Sequence, residues 1–278
     1  MSELKIGDKD PAVAEAQALL DRDGALLVID GDFGHGTFLA VREFQANHGL
    51  PVTGIIDDAT IQALRSLPDA NPDIPVKAVT FTAREEVGSR AYYDTHCARP
   101  DYPGGASGVT IGVGYDLGYQ SNFEADWAGV LLADQIGRLK ACLRLNGVAA
   151  REAVDSVSDI IVPWRSAWTV FLKRSVPDHV ALTRATFTSP VPSPPLCLGA
   201  LVSLVYNRGS AMEDSPDHPG NRREMRLIRD AMARGDFAAV PALLRSMKRL
   251  WPAGSDLFER REQEAQLFEE GLAAAPPG

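Results

Sequence analysis

Apolar positions along this chain recur mostly with the period of a helix. Val13, Ala16, Gln17 and Leu20 share one face behind Asp10-Pro11, an N-cap followed by proline at the first helical position, and predict a helix over about 11 to 22. The turn Asp30-Gly31-Asp32-Phe33-Gly34-His35-Gly36-Thr37 leads to a second helix, capped by Thr37, with Val41, Phe44 and Gln45 in its period. Thr53 to Thr60 repeats that loop and opens a short third helix through Leu64. Gly31 with Gly54, and Thr37 with Thr60, recur 23 residues apart, the mark of two related loop-helix units.

Further on, Asp126 to Leu145 carries the stripe Trp127, Val130, Leu131, Gln135, Leu139 and Leu143, and Pro163 to Arg174 carries Trp168, Phe171 and Leu172. Leu196 to Tyr206 is almost wholly apolar, a helix buried on all sides. Asn221 to Arg234, Phe237 to Leu250 and Leu257 to Phe268 predict three more helices.

One stretch departs from this period. Gly104-Gly105 and Ser107-Gly108 supply turns, and from Val109 to Tyr115 the chain alternates in period two. Val109, Ile111 and Val113 then face one side. Thr110, Gly112, Gly114 and, by strict alternation, Asp116 face the other. Glycine weakens a strand and is tolerated where a ligand or another backbone comes close. The reading is a mainly α, α+β chain with one small glycine-rich sheet.

Three prolines between Pro68 and Pro75 mark a semi-rigid linker. The expected organisation is a three-helix domain over 1–67, a linker over 68–77, a second domain over 78–272 and a disordered tail over 273–278. At 278 residues, 45% hydrophobic and 23% charged, the chain has room and ordinary composition for two globular domains. Its net charge is −9, and residues 1–67, with five Lys/Arg against eleven Asp/Glu, hold −6 of it. That balance argues against nucleic acid or an anionic membrane as partner. The start shows neither a basic region nor an apolar run, so neither a secretory signal nor membrane insertion is expected. Three widely spaced cysteines give no disulfide framework and no metal cluster. No metal or cofactor is implied.

In a helix, Glu86, Arg90 and Tyr93 share one face. Thr82-x-x-Glu85 fits a capping box, which gives Glu85 a local task and leaves Glu86 for chemistry.

Residues 4–67 resemble the three-helix peptidoglycan-binding domain of cell-wall hydrolases, through Asp30-Gly31-x-Phe33-Gly34-x-x-Thr37, Ala40-Val41-x-x-Phe44-Gln45 and Gly49-Leu50-x-Val52-x-Gly54. The resemblance implies wall contact by Asp30, Gly31, Asp32, Gly34, Thr37 and Gly54. Gln17, Phe44 and Gln45 read as core. The remainder resembles the phage-type lysozymes, muramidases with a glutamate in the first helix followed by Thr-Ile-Gly-x-Gly, here Thr110-Ile111-Gly112-Val113-Gly114. The aspartate that family commonly places six residues before the threonine is replaced by Gly104. Asp116 stands six residues after it, as in a pesticin-like branch.

The resemblance implies a lysozyme-like domain with a small sheet and a helical lobe, with Glu86 as general acid, Asp116 as base toward a water and Thr110 positioning that water. Asp94 and Asp101 are rivals for Asp116. In the Arg-Arg-x-x-Glu pattern of the closing helix, Arg260, with Arg261 second, would pair with the acid. Asn207, at the end of the apolar helix, would contact the sugar, together with Tyr93, Gly112, Gly114 and Tyr115. The implied activity is cleavage of the β-1,4 bond between N-acetylmuramic acid and N-acetylglucosamine by a monomer. It would be made in a host cytoplasm and act on cell-wall peptidoglycan after holin-type or other release, as a phage endolysin or a bacterially encoded effector. A lytic transglycosylase and a non-catalytic wall-binding scaffold are the alternatives.

Overall fold

The computed structural model describes residues 3–275, and the protein is mainly helical with one two-stranded sheet. In chain order the elements are α1 (Pro11–Arg22), α2 (His35–Asn47), α3 (Asp58–Arg65), α4 (Val76–Val87), α5 (Arg90–Tyr92), β1 (Thr110–Ile111), β2 (Tyr115–Asp116), α6 (Phe123–Trp127) and α7 (Ala133–Leu139). Then follow α8 (Val148–Ala153), α9 (Trp164–Val170), α10 (Val176–Thr186), α11 (Pro195–Arg208), α12 (Arg223–Ala233), α13 (Val240–Ser246) and α14 (Asp256–Ala274). Residues 273 and 274, expected in the disordered tail, are the last turn of α14. The rest of that expectation beyond residue 275 lies outside the described residues.

The chain forms two compact units, and the division does not follow the expected linker. One unit holds the chain up to Ala70 together with Glu86–Ser175, and the other holds Asn71–Glu85 and the chain from Val176. The boundary falls inside α4, between Glu85 and Glu86. Within the expected linker Asn71 and Ile74 are buried, and the Asn71 Oδ1 accepts from the Asp73 and Ile74 amides. That segment is a folded turn ahead of α4.

In the first unit, α1, α2 and α3 close around Val13, Leu20, Phe33, Val41, Phe44, Ile56 and Leu64. Two buried glutamines organise the loops. The Gln17 side chain accepts from Gly31 N at 2.9 Å and donates to Asp30 Oδ1 at 2.9 Å and Thr37 Oγ1 at 3.2 Å. Gln45 accepts from Gly54 N at 2.9 Å and donates to Ile55 O at 2.8 Å and Thr60 Oγ1 at 3.1 Å. The 23-residue repeat is thus a repeated lock, one amide satisfying each loop. Thr37 is not the cap of α2, which begins two residues earlier behind Gly34. Its hydroxyl is buried on Gln17.

The rest of this unit packs on the three helices. Trp164 Nε1 donates to Gly24 O at 2.8 Å, Trp168 Nε1 to Arg22 O at 3.2 Å, and Arg165 pairs with Asp23 at 2.9 Å. Gly24 has φ +90°, and a Cβ there would sit 2.9 Å from the Trp168 ring. The three-helix domain is therefore seated on the indoles of α9. The helix expected over 126–145 is broken into α6 and α7 by a turn at Gly129, φ +78°.

In the second unit α11 is the central helix, buried from Cys197 to Val205 and packed on α10 and α14. Close approach needs glycine at two places: a Cβ on Gly199 would lie 2.3 Å from the Ala78 side chain of α4, and one on Gly271 2.7 Å from Cys197 N. The expected capping box at Thr82 is absent because α4 starts six residues earlier. Thr82 is buried in mid-helix, where its hydroxyl donates to Ala78 O at 3.1 Å.

Replacing Gln45 by Leu removes the partners of Gly54 N, Ile55 O and Thr60. It is expected to lower the stability of the three-helix domain by at least about 2 kcal/mol, measured by urea denaturation followed at near-ultraviolet wavelengths.

Candidate active site

Helix α4 ends in two acids, and once Thr82 is not a cap, Glu85 has no capping task. Its side chain is 17% exposed and lies 3.7 Å from the Nε of Arg260. Arg260, Arg261 and Glu264 of α14 are all buried. Glu264 Oε1 accepts from Arg260 Nε at 3.3 Å, Arg261 Nη2 at 2.9 Å and Ser203 Oγ of α11 at 2.7 Å. Arg260 Nη2 also donates to Ser203 O at 3.0 Å, and Arg261 Nη2 to Asn207 Oδ1 at 3.3 Å. A network thus runs from Glu85 through Arg260, Glu264 and Arg261 to Asn207, all within the second unit. Helical spacing builds it, since residues three and four apart on α14 stand side by side.

The expected ribbon is a tight hairpin. Only Thr110–Ile111 and Tyr115–Asp116 pair, antiparallel, with Thr110 opposite Asp116 and Ile111 opposite Tyr115. Thr110 and Asp116 do share a face, through cross-strand pairing rather than alternation along one strand. The Asp116 carboxylate turns back into its own loop: it accepts from Gly108 N at 3.0 Å and Gly118 N at 2.8 Å, capping the short 3-10 turn that follows. A Cβ on Gly108 would lie 2.3 Å from Asp116 Oδ1, so that glycine exists to admit the carboxylate. Asp116 therefore has a structural task.

Three residues expected to meet sugar lie in the core. Tyr93 is fully buried, its hydroxyl donating to Val162 O at 2.9 Å and its ring edge-on to Trp164. Tyr115 is buried against Trp127 and donates to Asp126 Oδ2 at 2.7 Å. Burial raises the pKa of both phenols. Gly112, at φ +60°, is buried where a Cβ would meet Trp127 at 3.0 Å, so it makes room for an indole. Gly114, half-buried at φ +66°, serves the hairpin turn. Asp94 is tied to Arg90, which also lies over the Trp164 ring, while Asp101 is exposed and bridges the Thr110 backbone. Asn207 is half-buried, its amide oxygen held by Arg261.

Of the expected wall-contacting residues, Thr37 and Gly54 serve packing: Gly54 has φ +75° and the Phe38 ring covers it. Gly31, φ +74°, packs on Asp10 O, and Asp30 stays exposed with its carboxyl below the usual range through the Gln17 hydrogen bond. Asp32 pairs with Lys9 at 2.7 Å, and Gly34 faces open space.

Residues 9–64 match the family model of a putative peptidoglycan binding domain. Within that match fall both glutamine locks and the loops they hold. A solved structure similar to the chain is that of the Burkholderia AP3 phage endolysin, at 17% identity, over 98% of this chain and 100% of that one, with a TM-score of 0.23. So low a superposition score carries no weight for fold or activity. No curated protein matches the chain. Among the described residues no helix is long and apolar enough to cross a membrane, and no group of three or more His, Cys, Asp or Glu could hold a metal ion.

Glu264 and Ser203 are the members of the network that sequence reading assigned no role. The signal was present in Arg-Arg-x-x-Glu, whose glutamate is Glu264. Replacing Glu264 by Ala removes the carboxylate that two buried guanidinium groups share and is expected to cost about 3–5 kcal/mol, checked by guanidinium chloride unfolding.

Proposed function

We propose that this protein is a peptidoglycan hydrolase that cleaves the β-1,4 bond between N-acetylmuramic acid and N-acetylglucosamine, bound to the wall through residues 9–64. The observation that carries the reading is the contact between Glu85, on the first helix after the wall-binding segment, and Arg260 of the closing helix. A glycosidase needs a carboxyl that hands a proton to the leaving oxygen. The sequence points to Glu86 as the acid, by its spacing to Tyr93 and by giving Glu85 to a cap. Without that cap Glu85 takes the role, on its approach to Arg260 of the closing helix at 3.7 Å. Arg260, itself held by Glu264 and Ser203, stands where it can orient the Glu85 carboxyl.

Asp116 with Thr110 is the pair that the family resemblance names for directing water, in an endolysin or a bacterially encoded effector. The commitment of Asp116 to Gly108 and Gly118 favours a second reading, a lytic transglycosylase, which needs the acid but no carboxylate to activate water.

Digestion of purified sacculi tests these readings. Glu85→Gln is expected to reduce product release by about 100-fold or more, with Glu86→Gln far milder. The reverse ranking would return the acid to Glu86. Mass spectrometry of the products should give reducing ends. Anhydro sugars would establish the transglycosylase, and a chain that pellets with sacculi yet releases nothing would be a wall-binding scaffold.

A further inference from the structure

Helix α11 ends at Arg208, one residue beyond Asn207. The Arg208 side chain is half-buried; Nη2 donates to Asn221 O, and Nε is buried with no hydrogen-bond partner. Arg222, also half-buried, comes back over the helix end and donates from Nη1 to Arg208 O at 2.6 Å. Among the described residues neither guanidinium is paired with a carboxylate, because the acids around them are engaged elsewhere. Asp214 pairs with Arg226 at 3.2 Å and accepts from the Arg222 backbone amide, Glu224 pairs with Arg249 at 2.7 Å, and Glu264 holds Arg260 and Arg261. Burial, with Arg222 and Arg261 nearby, brings the Arg208 pKa down to about 10, and burial lowers that of Arg222. The half-buried Trp251 ring lies under Arg208, Cζ 5.2 Å from its centroid, and under Arg261 at 5.6 Å.

Two partly desolvated guanidiniums with no carboxylate of the described residues in direct contact, only Glu224 and Glu264 acting on Arg208 and Asp214 on Arg222 from further off, are costly, and a carboxylate ligand would relieve that cost with charge-assisted bonds. We propose that Arg208 and Arg222, beside Trp251, form a subsite for a carboxylate on the peptide branches of peptidoglycan. The proposal rests on the substrate class assigned above. The N-acetyl sugars of the glycan backbone are uncharged once the lactyl carboxyl is amide-linked, so the free carboxylates lie on the branches. Arg208 is adjacent in sequence to Asn207, and Arg261 joins the two through the Asn207 amide and the shared tryptophan. The subsite would select strands bearing peptide over bare chitin-like chains.

The test is titration calorimetry on the full chain with N-acetylmuramyl-L-alanyl-D-glutamate and with the same compound amidated at both carboxyls. The wild type is expected to bind the acid form at least about tenfold tighter than the diamide. Arg208→Gln and Arg222→Gln are each expected to abolish that preference, and Arg222→Lys to keep part of it. Equal affinity of the wild type for both compounds would overturn the proposal, as would a full preference in Arg222→Gln. Should Arg208→Gln not melt cooperatively, Arg222→Gln decides alone. Failure of the hydrolase reading appears separately, as sacculi left undigested, and does not alter the comparison of these uncleavable fragments.

Discussion

Helices α11 and α14 of the second unit meet at Glu264, a fully buried carboxylate shared by two arginines and a serine hydroxyl. Burying such charges is unfavourable unless each is matched and hydrogen-bonded, and here the match is made by three residues of one helix with Ser203 of another. The small interior of α11 makes this possible: Gly199 and Ala200 keep the helix slim, and Gly271 lets α14 approach to backbone distance. The outcome is directional. Arg260 is presented toward Glu85 and Arg261 toward Asn207, so one buried acid orients the two groups most closely tied to the proposed chemistry.

The three-helix domain uses a neutral version of the same device. Gln17 and Gln45 are buried amides whose oxygens take loop N–H groups and whose nitrogens reach a carbonyl or carboxylate and a threonine hydroxyl. A loop with several glycines loses much conformational entropy on folding, and one amide with multiple bonds offsets that loss at each site. The residues matched to the wall-binding family are thereby divided. Thr37 and Gly54 hold the fold, while Asp30 is exposed, Asp32 is half-buried on Lys9 and Gly34 faces open space.

The β hairpin shows how a small element can mislead a pattern-based reading. With only two residues per strand, it has almost no ladder to hold it, and Asp116 substitutes for the missing bonds by capping its own return. A carboxylate that stabilises a loop in this way is less free to activate water. The glycines around it answer to backbone geometry and to Trp127, with Gly112 leaving space for the indole.

Local pattern alone determined the three N-terminal helices, their repeated loops, the buried α11 and the closing helix with its arginines. These depend on periodicity, caps and turn residues that lie within a few positions of one another. Tertiary structure decided what depends on partners far along the chain. Glu85 and Glu86 are neighbours about a third of a helical turn apart, and the arginine beside Glu85 is Arg260, far along the chain on the closing helix. Tyr93 and Tyr115 look like sugar-binding aromatics in sequence and are buried because Trp164 and Trp127 pack on them. Thr82 looks like a cap because its spacing to Glu85 is right, yet α4 begins earlier, where Asn71 and Ile74 bury the turn that was expected to be a linker. In each case the sequence specified the chemical group, and packing against a distant segment decided whether that group faces solvent, the core or another charge.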